Sequence, residues 1–374
     1  MTRKSSADNN TSNKVTGNMK SIRAQIDKLD LQIVKLINER ANLAVQLGKL
    51  KAEQGGEIFL PAREEEVFKN AIDSSKGPLE DVTIRAVFRE IISGARALQR
   101  TLKVAYLGPE YSFSHLASVE RFGEAIEYIQ VGSIAAVFEE VNRGHADFGV
   151  VPLENSTDGR VADTLDMFLS LPQIKISAEV RMRVHHNLMA NCDQQEIRRI
   201  YSKPQALSQC RNWLSKNVPH ATLHEVASTA VAAELSQREP GAAAVASRQA
   251  GVRYNLRILF SDIEDSPHNV TRFAVIGHQE TSRTGNDKTS MMFRVSHNPG
   301  SLVEALEIFK QNKLNLTWIE SFPAKVKDKL EYVFFVDFEG HQDEAKAKRL
   351  IAALQTHCES LTVLGSYPIA VISG

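Results

Sequence analysis

The sequence predicts three folds in succession: an all-α segment, an α/β segment, and a smaller α+β unit of ferredoxin-like order. Three observations carry this. From Lys20 to about Ala52 apolar residues recur in steps of three, four and seven. From Leu102 to about residue 278 short apolar strands alternate with helical stretches. Residues 288–374 then read strand, helix, two strands, helix, strand. At roughly 150 residues per domain, a chain of 374 holds two or three.

Composition narrows the function classes. Hydrophobic residues make up 43% and charged residues 24%, enough apolar mass to fill several cores. Lys+Arg and Asp+Glu both number 45, so no chain-wide basic footprint points to nucleic acid. Three cysteines, Cys192, Cys210 and Cys358, cannot build a disulfide framework and fit a reducing compartment, the cytoplasm. No apolar run approaches the roughly 20 residues of a membrane span. Residues 1–19 are rich in Ser, Thr and Asn, lack the apolar stretch of a signal peptide, and read as a disordered leader, with a transit peptide as the alternative for so basic a stretch.

The elements follow in order. Ile22, Ile26, Leu29, Ile33, Ile37, Ala44, Leu47 and Leu50 lie along one long helix. A break at Gly55-Gly56 and a turn at Pro61 precede helices over 62–73 and 79–101. Three helices in this 20–101 segment leave much of the long apolar stripe uncovered, which predicts pairing with a second copy. LKVAYLG (102–108) opens the α/β segment, which continues through IEYIQV, DFGVVPL, IKISAEV, HHNLMA, RIYS, AAAVAS and RFAVIG to residue 280. The polar linker ETSRTGNDK (280–288) leads to TSMMFRVS, a helix from Ser301, LNLTWIESF, YVFFVDFEG, a helix over 343–357, and LTVLGSY.

Cations on the long helix are the first chemical signal. At 100° per residue Arg40 and Lys51 project within about 20° of each other, and Arg23 about a quarter turn away. Two cations then share one pocket while Arg23 faces elsewhere. On geometry alone the plainer reading, snorkelling cations whose stems cover the core, stays open. The run IRAQIDKLDLQIVKLINERANLAVQLGKLKA with PAREEEV and FREIISGARALQ resembles the all-helical chorismate mutases over 20–100. That resemblance implies a site of Arg23, Arg40, Lys51, Arg63, Glu64 and Gln99 in an intertwined dimer, with Arg23 entering the neighbour's site. The rearrangement of chorismate to prephenate needs no nucleophile or proton transfer. It needs a clamped dicarboxylate and donors to the breaking ether oxygen. Lys51 and Gln99 are the implied donors, and Glu64 takes the substrate hydroxyl. Leu60 and Ala95 depart from polar residues of the family; Leu60 leaves its backbone N–H for the hydroxyl.

Four patches mark the middle segment: GPEYSFSH (108–115), PLENSTDGR (152–160), YSKPQALSQC (201–210) and NVTRF (269–273). They abut predicted strands, where α/β folds place ligands, yet taken singly they read as well as capping and turn chemistry. None offers a nucleophile–base pair, since Ser114 and His115 point apart. His185-His186 reads as structural, and no metal site is expected. Together the patches resemble prephenate dehydratase over 102–280. The resemblance implies two α/β lobes around a cleft, like periplasmic solute-binding proteins, with a site of Glu154, Asn155, Ser156, Ser202, Gln209, Thr271 and Arg272. Thr271 is its implied catalytic hydroxyl donor. Tyr111 departs from the glycine of the family's GPxG pattern, where a positive φ would strain it.

NPGSLVEAL (298–306) and IESFP (319–323) resemble the ACT domain over 288–374. That implies L-phenylalanine as a feedback effector held by Gly300, Ser301, Leu302, Glu320 and Ser321. Ser301 and Phe322 depart from the family's GALV and ESRP, and Phe322 replaces a cation, which predicts weaker binding. A dehydrogenase would need a GxGxxG after a strand, and none is present. A non-enzymatic amino-acid sensor would need a helix-turn-helix or basic stripe, also not visible. A chain active only as a dehydratase is disfavoured by Arg40, Lys51, Glu64 and Gln99. Jointly the resemblances imply a bifunctional chorismate mutase/prephenate dehydratase with an ACT domain. It acts on chorismate and prephenate without a cofactor, is at least a homodimer, and binds neither nucleic acid nor membrane.

Overall fold

The computed structural model describes residues 5–54, 56–157, 159–326 and 329–373; Gly55 of the expected break lies outside them. The chain divides into two compact units, one of residues up to 58 with 94–100, the other of 59–93 with 101–374.

In the first unit α1 runs Ser5–Gln54. It takes in residues 5–19 of the stretch expected as a leader. A polar stretch joined to a formed helix adds one hydrogen bond for each residue fixed, without a second nucleation cost. Ile22, Ile26, Leu29, Ile33, Leu47 and Leu50 on α1 are each 50% or more exposed. Gln99 lies close against Gly48, where a Cβ would stand 2.5 Å from its Cγ.

The second unit opens with α2 (Pro61–Ser74), whose N-terminal proline has the helical φ built in. The chain continues into α3 (Asp81–Ala97). Arg85 of α3 ties α2 down, bonding Glu65 at 2.5 Å and lying 4.4 Å over the Phe68 ring.

Two lobes follow. The first is built from β1 (Lys103–Leu107), α4 (Phe113–Phe122), β2 (Glu127–Val131), α5 (Ile134–Asn142), β3 (Phe148–Asn155), β4 (Gly159–Arg160), α6 (Ala162–Ser170) and β5 (Lys175–Arg183). The chain then crosses into the second lobe: β6 (Asn187–Ala190), β7 (Arg199–Ser202), α7 (Pro204–Gln209), α8 (Arg211–Asn217), β8 (Thr222–Glu225), α9 (Thr229–Arg238), β9 (Ala242–Ala246), α10 (Arg248–Arg253) and β10 (Arg257–Phe260). It returns as β11 (Val270–Gly277), which inserts antiparallel between β5 and β3. The second sheet has the order β10-β6-β9-β7-β8. Its central strand AAAVA is buried at every position, as a strand covered on both faces must be. Ser112, Ser133, Ser228 and Ser247 cap α4, α5, α9 and α10, each side chain accepting from a backbone N–H three residues on.

The C-terminal unit is β12 (Asp287–Arg294), α11 (Ser301–Asn312), β13 (Leu316–Val326), β14 (Lys329–Glu339), α12 (Ala345–His357) and β15 (Ser360–Pro368). Its sheet has the order β13-β14-β12-β15. Phe309, Leu350 and Leu354 of the two helices pack on Phe293, Val336 and Phe338. Met292, Phe322, Phe335 and Tyr367 join a core shared with Phe138, Leu165 and Ile176 of the first lobe. The last strand, β16 (Ile372–Ser373), pairs in parallel with β5 and extends the first lobe's sheet to β16-β5-β11-β3-β1-β2.

Candidate active site

The antiparallel register of β3 and β11 sets Asn155 opposite Thr271 and Glu154 opposite Arg272. Asn155 Nδ2 donates to Thr271 Oγ1 at 2.7 Å and to Asn269 Oδ1 at 3.0 Å. Asn155 Oδ1 accepts the Thr157 backbone N–H at 2.9 Å. Asn269 Nδ2 donates to Gln209 Oε1 at 2.8 Å, and His186 Nε2 lies 2.9 Å from the same oxygen. Gln209 ends α7 in the second lobe, so one hydrogen-bonded chain joins the two lobes. Thr271, Asn269 and His186 are all buried.

Three residues expected at the site, Asn155, Gln209 and Thr271, thus meet in this chain. Ser156 clasps its end, accepting from Val270 N at 2.9 Å and donating to the His268 carbonyl at 2.7 Å. Ser202 does not join: it is fully buried and donates to the Val245 carbonyl at 2.6 Å. It stands at the end of β7, next to β9 in the sheet.

Arg272 is also corrected. Neighbouring strand residues face opposite ways, and its guanidinium points to the C-terminal sheet. It bonds Glu179 at 2.8 Å, Asp337 at 2.5 Å and the Tyr367 hydroxyl at 2.9 Å. Lys288 joins Glu179 at 2.5 Å. Burial works to raise the Glu179 carboxyl, but Arg272 and Lys288 bring it below its usual range. Glu154, one-third exposed, lies 3.9 Å from Arg272.

His186 and Asn269 escaped the sequence reading as site residues. Both stand in stretches already singled out, but their partners are distant in sequence. Tyr111 also contributes: φ is +64, its carbonyl accepts Ser247 Oγ at 3.4 Å, and its N–H reaches His115 Nδ1 at 3.2 Å. Burial lowers the His115 pKa. His185, Asp262 and Glu264 converge within 4.8 Å, and His185 Nδ1 lies 2.8 Å from Glu264.

In the first unit Lys51 Nζ donates to the Glu57 carbonyl at 2.8 Å, and Gln99 Nε2 to the Ala95 carbonyl at 3.2 Å. Arg23 is exposed, Arg40 half-buried and Ala95 buried. In the second unit Glu64 is buried and paired with Arg121 at 2.8 Å, whose guanidinium covers the Phe59 ring at 4.7 Å. Arg63 is exposed and bonds Glu66 at 2.5 Å on its own helix, just after the half-buried Leu60.

At the C-terminal unit Gly300 takes φ +95 before α11, and Ser301 Oγ lies 2.9 Å from Ser296 Oγ. Leu302 packs on that unit's own core. Glu320 pairs with Arg160, which also donates to the Ser321 carbonyl at 3.2 Å.

Family models match two stretches: chorismate mutase type II over residues 22–100 and prephenate dehydratase over 104–281. A bifunctional chorismate mutase/prephenate dehydratase of Aquifex aeolicus is 42% identical, covering 95% of this chain and 99% of that one. The Pseudomonas aeruginosa protein of the same name is 42% identical over 95% of this chain and 98% of its own. The crystal structure of an Arthrobacter aurescens prephenate dehydratase in complex with L-Phe aligns with a TM-score of 0.66 at 30% identity, covering 72% of this chain and 90% of that one. The chain therefore belongs to the bifunctional chorismate mutase/prephenate dehydratases, enzymes of phenylalanine synthesis that rearrange chorismate to prephenate and convert prephenate to phenylpyruvate.

Proposed function

We propose that Thr271 assists departure of the ring hydroxyl of prephenate, and that the Asn155–Thr271 hydrogen bond carries this reading. As CO₂ leaves, the electron pair of the broken C–C bond enters the ring. The ring becomes aromatic as its hydroxyl departs, taking up a proton to leave as water. Because Thr271 Oγ1 accepts from Asn155 at 2.7 Å, its own hydrogen is directed elsewhere, toward a leaving oxygen that is gaining charge. A buried hydroxyl held this way needs no reorganisation during the reaction. Glu154, Asn155, Ser156 and Gln209 border the same strand ends and complete the site. Arg272 and Ser202 act one layer behind, holding β11 and β7.

In the mutase reaction Lys51 and Gln99 donate to the breaking ether oxygen, while Arg40, Arg63 and a second copy's Arg23 hold the carboxylates. Glu64 takes the substrate hydroxyl alongside the Leu60 backbone, and Ala95 lines the pocket. A homodimer accounts for the exposed apolar stripe of α1. The C-terminal βαββαβ unit (288–374) is an ACT domain, after the mutase (20–101) and dehydratase (102–280) domains. It binds L-phenylalanine through Gly300, Ser301, Leu302, Glu320 and Ser321. The L-Phe in the Arthrobacter dehydratase structure supports that effector. Free thiols at Cys192, Cys210 and Cys358 fit a cytoplasmic enzyme.

The test is to supply chorismate and follow prephenate and phenylpyruvate separately. Lys51→Ala lowers mutase kcat by about 10²-fold or more and spares dehydration of supplied prephenate. Thr271→Ala makes prephenate accumulate, and Thr271→Ser retains more turnover. Equal loss in both Thr271 variants would assign the effect to the methyl group instead.

A further inference from the structure

The donor sense of the cleft chain is set from one end. A backbone N–H can only donate, so the Thr157 amide, 2.9 Å from Asn155, identifies the atom it meets as oxygen. The other terminal atom of Asn155 is then its NH₂, whose two hydrogens go to Thr271 and Asn269. Asn269 must meet that group with its oxygen, so its nitrogen faces Gln209, and Gln209 answers with its own oxygen at 2.8 Å. A ring nitrogen 2.9 Å from that oxygen must itself carry hydrogen. His186 is therefore protonated at Nε2.

The opposite sense would have the opposite chemistry. Thr271 would donate its hydrogen to Asn155 and offer only lone pairs to the substrate. The Thr157 backbone amide excludes it, because an N–H cannot accept, and the imidazole at the far end answers as a donor. His186 is 2% exposed, on the short crossing before β6, with the Phe113 ring edge-on at 5.7 Å.

We propose that His186 is a positioning residue of the dehydratase. As an Nε2–H donor it holds the Gln209 oxygen toward Asn269, which orients Asn155 and leaves the Thr271 hydrogen for the departing hydroxyl. This rests on the reading of Thr271 as the donor. An Nε2–H donates from the matching neutral tautomer and from the charged ring alike, so the role is directional.

The test is dehydration of supplied prephenate by the full chain, with mutase activity and thermal unfolding measured alongside. His186→Leu lowers kcat by about 10- to 100-fold and changes KM by less than about 3-fold. His186→Gln, whose amide reaches the Nε2 position, recovers to within about 5-fold of the parent. His186→Asn, whose amide falls short, stays impaired, so the Gln–Asn contrast remains informative if the leucine variant fails to fold. Asn155→Asp keeps the shape but only accepts, and lowers kcat by about 10²-fold or more. A glutamine variant as damaged as the leucine or asparagine variant overturns the proposal, as does an undamaged leucine variant. Thr271→Ala in the same series separates the two claims: full turnover there removes the donor reading itself.

Discussion

Tyr111 occupies backbone space that glycine enters without cost, at φ +64. A side chain there costs about 1–2 kcal/mol. The offsetting contacts reach across the cleft: Ser247 bonds its carbonyl at 3.4 Å, and Arg253 stands 5.9 Å over its ring. Both partners belong to the second lobe, while Tyr111 sits between β1 and α4 of the first. Strain on one side is held by contacts on the other. Tyr111→Gly removes the strain and the Arg253 contact together and leaves the Ser247 bond to the backbone carbonyl in place, so urea unfolding should shift by less than about 1 kcal/mol. The lobes lose a tie, however, and KM for prephenate should rise several-fold with little change in kcat. Steady-state kinetics on supplied prephenate check this; an unchanged KM removes the tie.

At the scale of elements, β4 has two residues and yet anchors a contact between domains. Its Arg160 pairs with Glu320 and stands 5.8 Å from the ring of Phe322. That ring is 6% exposed and packs edge-on against Phe335 at 6.2 Å. Phe322 was expected to leave the effector stretch without a cation, but Arg160 supplies one from the neighbouring domain. Phe322→Arg would then set a second guanidinium in a core beside the first. It should lower stability by about 3 kcal/mol or more, and a thermal melt decides. Elements with strong periodicity were legible in the sequence, from α1 to β15. The strands β4, β8, β10 and β16 were not, being two to four residues long and held by pairing instead of pattern. At the site, Ser202 and Gln209 stand in one motif. Only the tertiary contacts reveal that the serine meets the Val245 carbonyl while the glutamine meets Asn269. Glu64 and Arg121 lie 57 positions apart, beyond any local signal.

At the scale of the molecule, the seam between the first lobe and the C-terminal sheet is lined with paired charge. Arg272 and Lys288 face Glu179 and Asp337, all buried, with the Tyr367 hydroxyl on Arg272. The ends of the connecting segment are fastened too: Thr281 Oγ1 donates to the Ser177 carbonyl at 2.8 Å, and His341 Nε2 lies 2.7 Å from the Thr281 carbonyl. Between buried Thr281 and buried Asp287, residues 282–286 are exposed. β15 approaches β5 so closely that a Cβ on Gly365 would collide with the Ile176 carbonyl, and β16 then hydrogen-bonds along β5. Covalent continuity at residues 282–286 is therefore redundant. Trypsin cutting after Arg283 should yield two bands on a denaturing gel but a single peak on gel filtration, with dehydratase turnover retained. A small fragment eluting by itself would show that the peptide bond, and not the seam, keeps the two parts together. If the seam holds, the same two pieces expressed as separate chains should find each other and rebuild a working dehydratase.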